Sequence, residues 1–132
     1  MLPKSLNYDH LYNTFNLNIP PKCNIASATI DKFANTNRIA LKNLKYNGEF
    51  ENLSFRFIQK KSNQLANALD NLNLNKNDRV GIILGQCPET LISHISCFKS
   101  GKISIPLFNL FGIDALKSVS YTHLRAHETR CN

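Results

Sequence analysis

Apolar residues fall along this chain in two different rhythms, and the change of rhythm marks out its elements. Between residues 54 and 72, Ile58, Leu65, Leu69 and Leu72 recur at spacings of seven, four and three, with Lys60, Lys61, Asn63 and Asn67 off that line. Such a period predicts an amphipathic helix whose stripe is core, and Ser54 is placed to cap it. Residues 79–84, Arg-Val-Gly-Ile-Ile-Leu, and 102–108, Lys-Ile-Ser-Ile-Pro-Leu-Phe, are apolar with little alternation, the pattern of α/β strands covered on both faces. Between them Pro88 and Glu89 favour a helix start and Gly101 a helix end, with Leu91, Ile92, Ile95 and Phe98 facing inward. A right-handed crossover then makes the two strands parallel.

The upstream pattern is weaker. Residues 1–23 read as an irregular lead that closes on Pro20 and Pro21. Asn24 or Ser27 can cap a short helix with Ile25, Ala28, Ile30 and Phe33 on one side, ending at residues 35–37. Residues 38–46 and 49–53 flank Asn47 and Gly48, the strongest two-residue hairpin signal, and predict an antiparallel pair. Residues 71–77 are polar enough for a loop, and a further helix starts at Asp114. The fold class expected is α/β: residues 24–117 form part of one domain, a small β-hairpin followed by a parallel strand–helix–strand unit.

Composition narrows the picture. Of 132 residues, 42% are hydrophobic and 19% charged, as in ordinary globular proteins, and no apolar run approaches the roughly 20 residues of a membrane span. The N-terminus holds no apolar stretch of signal-peptide length, with Asp9 and His10 interrupting it, so a cytoplasmic placement is expected. The net charge of +7 raises nucleic-acid binding. Its distribution argues against that: the lysines are scattered, only Lys60 and Lys61 adjoin, and no aromatic platform is interleaved. Eighteen Asn and 11 Lys against five Arg match an AT-rich coding sequence better than selection for polyanions. The cysteines at 23, 87, 97 and 131 form no CxxC pair and lie near no His at metal spacing, so they read as reduced thiols, Cys97 as a small core residue.

From residue 118 the composition changes: the segment has no Lys, no Asn before residue 132, and two of the five Arg. Residues 119–129, Val-Ser-Tyr-Thr-His-Leu-Arg-Ala-His-Glu-Thr, resemble the translation of a transposase-type sequencing adapter, and 118–132 is expected to be a non-native tail. His123, His127 and Glu128 have helical metal-ligand spacing, but a translated adapter has no reason to encode a coordination shell.

Catalytic signatures are scarce. The chain has no GxSxG, no phosphate loop of the GxxxxGK[ST] kind and no GxGxxG. His94, within an apolar helix, reads as a satisfied or partly exposed helix residue rather than a catalytic base. Residues 85–88, at the carboxyl end of a strand and the start of a helix, occupy a position where open α/β sheets bind ligands.

Three segments carry more information: residues 53–58, Leu-Ser-Phe-Arg-Phe-Ile, with 62–69, Ser-Asn-Gln-Leu-Ala-Asn-Ala-Leu; residues 77–82, Asn-Asp-Arg-Val-Gly-Ile; and residues 98–106, Phe-Lys-Ser-Gly-Lys-Ile-Ser-Ile-Pro. In this order, with Pro88 and Glu89 between the last two, the chain resembles the start of the AMP-forming acyl-adenylate synthetase superfamily. Residues 24–26 and 106–116 are most similar to its acetyl- and medium-chain acyl-CoA synthetase branch. The resemblance implies an N-terminal fragment of a ligase that joins a small-molecule carboxylic acid to CoA through an acyl-adenylate. ATP, magnesium and CoA would serve the intact protein, and no cofactor is expected for the fragment. It also implies that Phe108, Asn109 and Leu110 approach the CoA nucleotide, although acetyl-CoA synthetases commonly have two glycines where Asn109 and Leu110 stand. The family's Ser/Thr/Gly-rich phosphate loop, magnesium-holding Glu, ribose-binding Asp and C-terminal Lys fall beyond residue 117. No catalytic residue, metal ligand, nucleic acid or membrane span is therefore expected here. The alternatives are an amino-acid or aryl-acid adenylation domain and, outside the superfamily, a non-enzymatic basic binding module.

Overall fold

The computed structural model describes residues 7–16 and 20–124. The lead read as irregular contains a helix, α1 (Tyr8–Thr14), whose N-cap Asn7 accepts from the His10 amide. The sequence reading overlooked that cap. Helix α2 (Ile25–Thr29) begins at Asn24, whose side-chain oxygen accepts from the Ala26 and Ser27 amides, while its Nδ2 donates to the Phe98 carbonyl at 2.8 Å. One asparagine thus starts a helix and ties it to an element 74 residues away. A single 3₁₀ turn (Asp31–Phe33) follows.

Strands β1 (Ile39–Leu44) and β2 (Phe50–Ser54) pair antiparallel, as expected. Their turn differs from the two-residue form predicted. Gly48 N donates to the Lys45 carbonyl and Lys45 N to the Glu49 carbonyl, both at 2.9 Å, and Gly48 has φ +83° while Asn47 does not take positive φ. A type I′ turn needs positive φ at both central residues. The chain instead makes a wider turn that closes on a left-handed Gly48, which costs glycine nothing sterically.

Ser54 ends β2 and caps α3 (Phe55–Asn71), its Oγ accepting from the Phe57 amide at 3.2 Å. The inward face of α3 is Ile58, Ser62 and Ala66, all buried. Leu65 and Leu69 are half-buried, and Leu72, placed in the core by the spacing argument, is 70% exposed. The stripe is therefore rotated from the leucines toward small residues, because α4 packs closely against α3 and a stripe of Ser and Ala allows that approach.

Strands β3 (Arg79–Ile83) and β4 (Ile103–Leu107) pair in parallel through α4 (Pro88–Lys99), with Ile83 opposite Leu107. Gly101, at φ +68°, ends α4 in a Schellman arrangement: Lys102 N donates to the Cys97 carbonyl at 2.8 Å and Gly101 N to the Phe98 carbonyl at 3.4 Å. The strands are covered fully on one face and only in part on the other, where Leu107 is buried. Ile82 is buried, but Ile83 and Ile103, which point the other way, remain 51% and 44% exposed. Helix α5 (Ile113–Val119) and a π-helical turn (Ser120–Leu124) follow, and that turn touches β3. Among the described residues no helix is long and apolar enough to cross a membrane.

The core lies between α2, the hairpin, α3 and α4. Ala26, Ile30, Leu53, Ile58 and Ile95 form its centre, with Leu41, Phe55, Leu91 and Phe98 around them. Two cations sew its margin. Lys99 Nζ reaches Asp31 and Asn63, each at 2.6 Å, and the buried Lys102 ammonium donates to Asp70. Truncation of Ile58 to Ala is expected to cost about 2–5 kcal/mol, whereas Leu72→Ala should stay within about 0.5 kcal/mol. Urea unfolding of the two variants checks the assignment, and equal losses would return Leu72 to the core.

Candidate functional site

Parallel strands and their crossover helix leave a depression beyond the strands' carboxyl ends, because each chain must turn away there before its next element begins. In this chain that depression is a cleft of about 480 Å³. Its floor is Ile82, Leu84, Pro106 and Leu107, and its rim is Gly85, Gln86, Thr90, His94, Phe108 and Asn109.

The β3–α4 loop supplies one wall. Thr90 Oγ1 donates to the Gly85 carbonyl at 2.6 Å and sits 3.4 Å from Cys87 Sγ, fixing the chain as it enters α4. Pro88 occupies the first turn, where its missing N–H leaves no bond unmade. One turn on, His94 Nδ1 meets Ser104 Oγ of β4 at 3.0 Å. Expected to be a satisfied helix residue, His94 is one, and its partner is what sequence reasoning missed. Residues ten apart meet only once the crossover lays α4 over β4, and no local signal announces that.

Of the three residues implied by resemblance, Phe108 and Asn109 line the cleft and Leu110 does not, being 77% exposed beside it. The Phe108 ring is 57% exposed and stands edge-on to Phe111 with centroids 5.8 Å apart. Asn109 reaches across to Gly85: a Cβ there would lie 3.7 Å from its Nδ2. The arrangement offers an aromatic face, two side-chain amides from Gln86 and Asn109, and an apolar floor. It can hold a flat, partly polar group. No Lys, Arg, Asp or Glu lines it, which leaves His94, bonded to Ser104, as its titratable side chain, and multiple phosphates would need cations from elsewhere.

Of the spaced set His123, His127 and Glu128, the last two lie outside the described residues. Among the described residues no group of three His, Cys, Asp or Glu lies together.

Comparison with known proteins follows the same outline. A family model described as AMP-binding enzyme matches residues 30–122. The mitochondrial acyl-coenzyme A synthetase ACSM3 of Rattus norvegicus is 30% identical over 108 residues, covering 76% of this chain and 19% of the relative. Acetyl-coenzyme A synthetase of Methanothrix thermoacetophila is 31% identical over 101 residues, 74% of this chain and 15% of its own length. The chain thus spans less than a fifth of the curated relatives it matches. A crystal structure of a Brucella canis acyl-CoA synthetase superposes with a TM-score of 0.80 at 23% identity, over 87% of this chain and 23% of that one. An anthranilate CoA ligase with anthranoyl-AMP superposes at 0.67 and 21% identity, over 77% of this chain and 19% of that one. At those identities the structural matches establish the fold: an α/β fold that matches the N-terminal part of acyl-CoA synthetases.

Away from the cleft, Cys97 of α4 is 1% exposed. Burial pushes its thiol pKa up, and the nearby Lys102 ammonium offsets this only in part. Because the folded state holds this proton more tightly than the unfolded state, the associated stability is complete below the unfolded value and is lost as pH rises past it. Stability of the chain should therefore fall above about pH 8.5, the ordinary thiol value, and a Cys97→Ser variant should show a flatter alkaline limb. At neutral pH a colour-forming disulfide reagent should label the exposed Cys23 promptly and Cys97 only on unfolding. Prompt labelling of Cys97 would contradict its burial.

Proposed function

Because this chain belongs to the AMP-binding enzyme family, we propose that it is the N-terminal portion of a longer AMP-forming acyl-CoA synthetase. That protein takes a carboxylic acid, ATP and CoA to acyl-CoA, AMP and pyrophosphate. The observation that carries the reading is the family match over residues 30–122, supported by relatives named acyl- and acetyl-coenzyme A synthetase. A carboxylate oxygen attacks the α-phosphorus of ATP and pyrophosphate leaves; the CoA sulfur then attacks the acyl carbon and AMP leaves. Adenylation is needed because a carboxylate is a poor acyl donor until its oxygen becomes part of a stable leaving group.

In that reaction the residues present here scaffold and bind. Phe108 and Asn109 fit one end of the CoA nucleotide, giving an aromatic face and an amide at the cleft rim, while Leu110 stands outside it. The donor set does not fit magnesium, which is left to residues elsewhere in the longer protein, as are the groups that meet the phosphates. This chain alone is accordingly inactive. The cytoplasmic placement belongs to the same proposal, as does the reading of 118–132 as non-native. The boundary at Lys117 is one of composition, not of helix, since α5 runs on to Val119.

Labelled pyrophosphate exchange into ATP tests the reading. The 132-residue chain should give no acid-dependent exchange, and the product of the longer gene, recovered by reading through the codon for Lys117, should give it. In that longer protein Asn109→Trp should raise the KM for CoA several-fold and leave the KM values for ATP and acid unchanged. Acid-independent behaviour of the longer protein would overturn the function. An unchanged KM for CoA would overturn the role of Asn109 alone.

A further inference from the structure

Asn47 is followed by Gly48, and none of the other 17 asparagines precedes a glycine. That matters chemically because the backbone nitrogen after an asparagine can attack the side-chain amide, and a Cβ on the attacking residue hinders the approach. Gly48 has no Cβ, and the space where one would stand is open, with nothing within 4 Å. Both residues are exposed at the tip of the β1–β2 hairpin.

Folded geometry restrains the reaction at this tip. The attacking nitrogen, Gly48 N, donates to the Lys45 carbonyl at 2.9 Å. The amide under attack is held at both ends by Glu49: Asn47 Oδ1 accepts from the Glu49 amide at 3.1 Å, and Nδ2 donates to Glu49 Oε2 at 2.8 Å. All these bonds are solvent-exposed and close a loop tip, the part of a fold that opens at least cost.

We infer that Asn47 is the chain's site of spontaneous deamidation, gated by opening of the hairpin tip. When the tip opens, Gly48 N bonds to Asn47 Cγ, the Cγ–Nδ2 bond breaks, and the amide nitrogen leaves as ammonia carrying the proton lost by Gly48. Water adds to either carbonyl of the resulting imide and opens it to aspartate or isoaspartate. Aspartate places a carboxylate where Nδ2 donated to Glu49, so an attraction becomes a repulsion between like charges; isoaspartate takes Cγ into the main chain, leaves its carboxylate on Cα and loses the Nδ2 donor altogether. Isoaspartate also lengthens the backbone by one methylene inside a turn whose bonds fix the β1–β2 register.

The chain contains its own control. Trypsin cutting after Lys45 and Arg56 releases residues 46–56, which hold both Asn47 and Asn52, the latter followed by Leu53 within β2. After incubation of the 132-residue protein at 37 °C and mildly alkaline pH, fragment-ion mass spectrometry of this peptide should place the amide-to-acid mass gain at Asn47, with isoaspartate the larger product, and leave Asn52 unchanged. The same incubation in denaturing urea should speed conversion at Asn47. Glu49→Ala should speed it in the folded protein, since one clamp is gone. Conversion at Asn47 no faster than at Asn52 would overturn the site; equal rates folded and in urea would overturn the gating. Gly48→Ala should slow Asn47 to the Asn52 rate, and because alanine is strained at positive φ, the comparison in urea removes any effect of folding on that result.

Discussion

Helix α4 is enclosed, and that enclosure is the constraint from which the rest of the structure follows. Three successive residues, Ile95, Ser96 and Cys97, are buried. At about 100° of rotation per residue they face well over half the helix circumference, so α4 must be packed from several sides at once. The β3–β4 pair takes one side, and α2 and α3 take the others. Its polar core atoms are settled internally: Ser96 Oγ donates to the Ile92 carbonyl at 2.5 Å, so a small residue fits at the crowded side without an orphaned hydroxyl. Replace α4's surroundings on any side and an apolar or polar group loses its partner.

The ends of α4 show how much of this packing depends on where the helix stops. Gly101 lets the chain reverse in a left-handed turn, and that turn delivers Lys102 inward to Asp70 of α3. A buried ammonium is costly unless paired, so the residue just before β4 ties the start of that strand to α3. Lys99, one turn back, ties Asp31 and Asn63 together. Asn24 donates to the Phe98 carbonyl, which also accepts the long bond from Gly101 N. The C-terminal turn of α4 is thus the junction of α2, the 3₁₀ turn, α3 and β4.

Local chemistry made much of this legible. Ser54 as a cap, Gly101 as a stop, Pro88 as a start and the parallel pairing of two apolar runs all depend on residues close in sequence, and the structure has each of them. What failed to show in sequence depended on partners. Leu72 satisfied the helical period yet faces solvent, because the period fixes a stripe only to within the width of a face and the neighbour decides which edge is buried. Asn47 and Gly48 announced a turn, but the φ of Asn47 is set by Lys45 and Glu49 closing around it. The strands read as doubly covered because their composition fits a larger sheet; here one face has a helix and the other keeps Ile83 and Ile103 half exposed. The His94–Ser104 contact had no local signature at all.

The cleft itself is a consequence of strand register. Ile83 stands opposite Leu107, so two residues further along each chain Gly85 and Asn109 come face to face, close enough that a Cβ on Gly85 would be in ordinary van der Waals contact with the asparagine amide. A slip of one residue between β3 and β4 would turn one strand's side chains to the opposite face. It would carry Ser104 away from His94 and aim Asn109 outside the cleft. The register is held in turn at the strands' other end, where Ile103 N donates to the Asp78 carbonyl and Asn77 N to the Gly101 carbonyl, each at 2.9 Å. Asn77 takes φ +68° to make that bond, a conformation asparagine tolerates better than most residues. The Asn-Asp-Arg segment that carried part of the family resemblance therefore acts at a distance: it fixes the sheet at one end and so positions the cleft at the other.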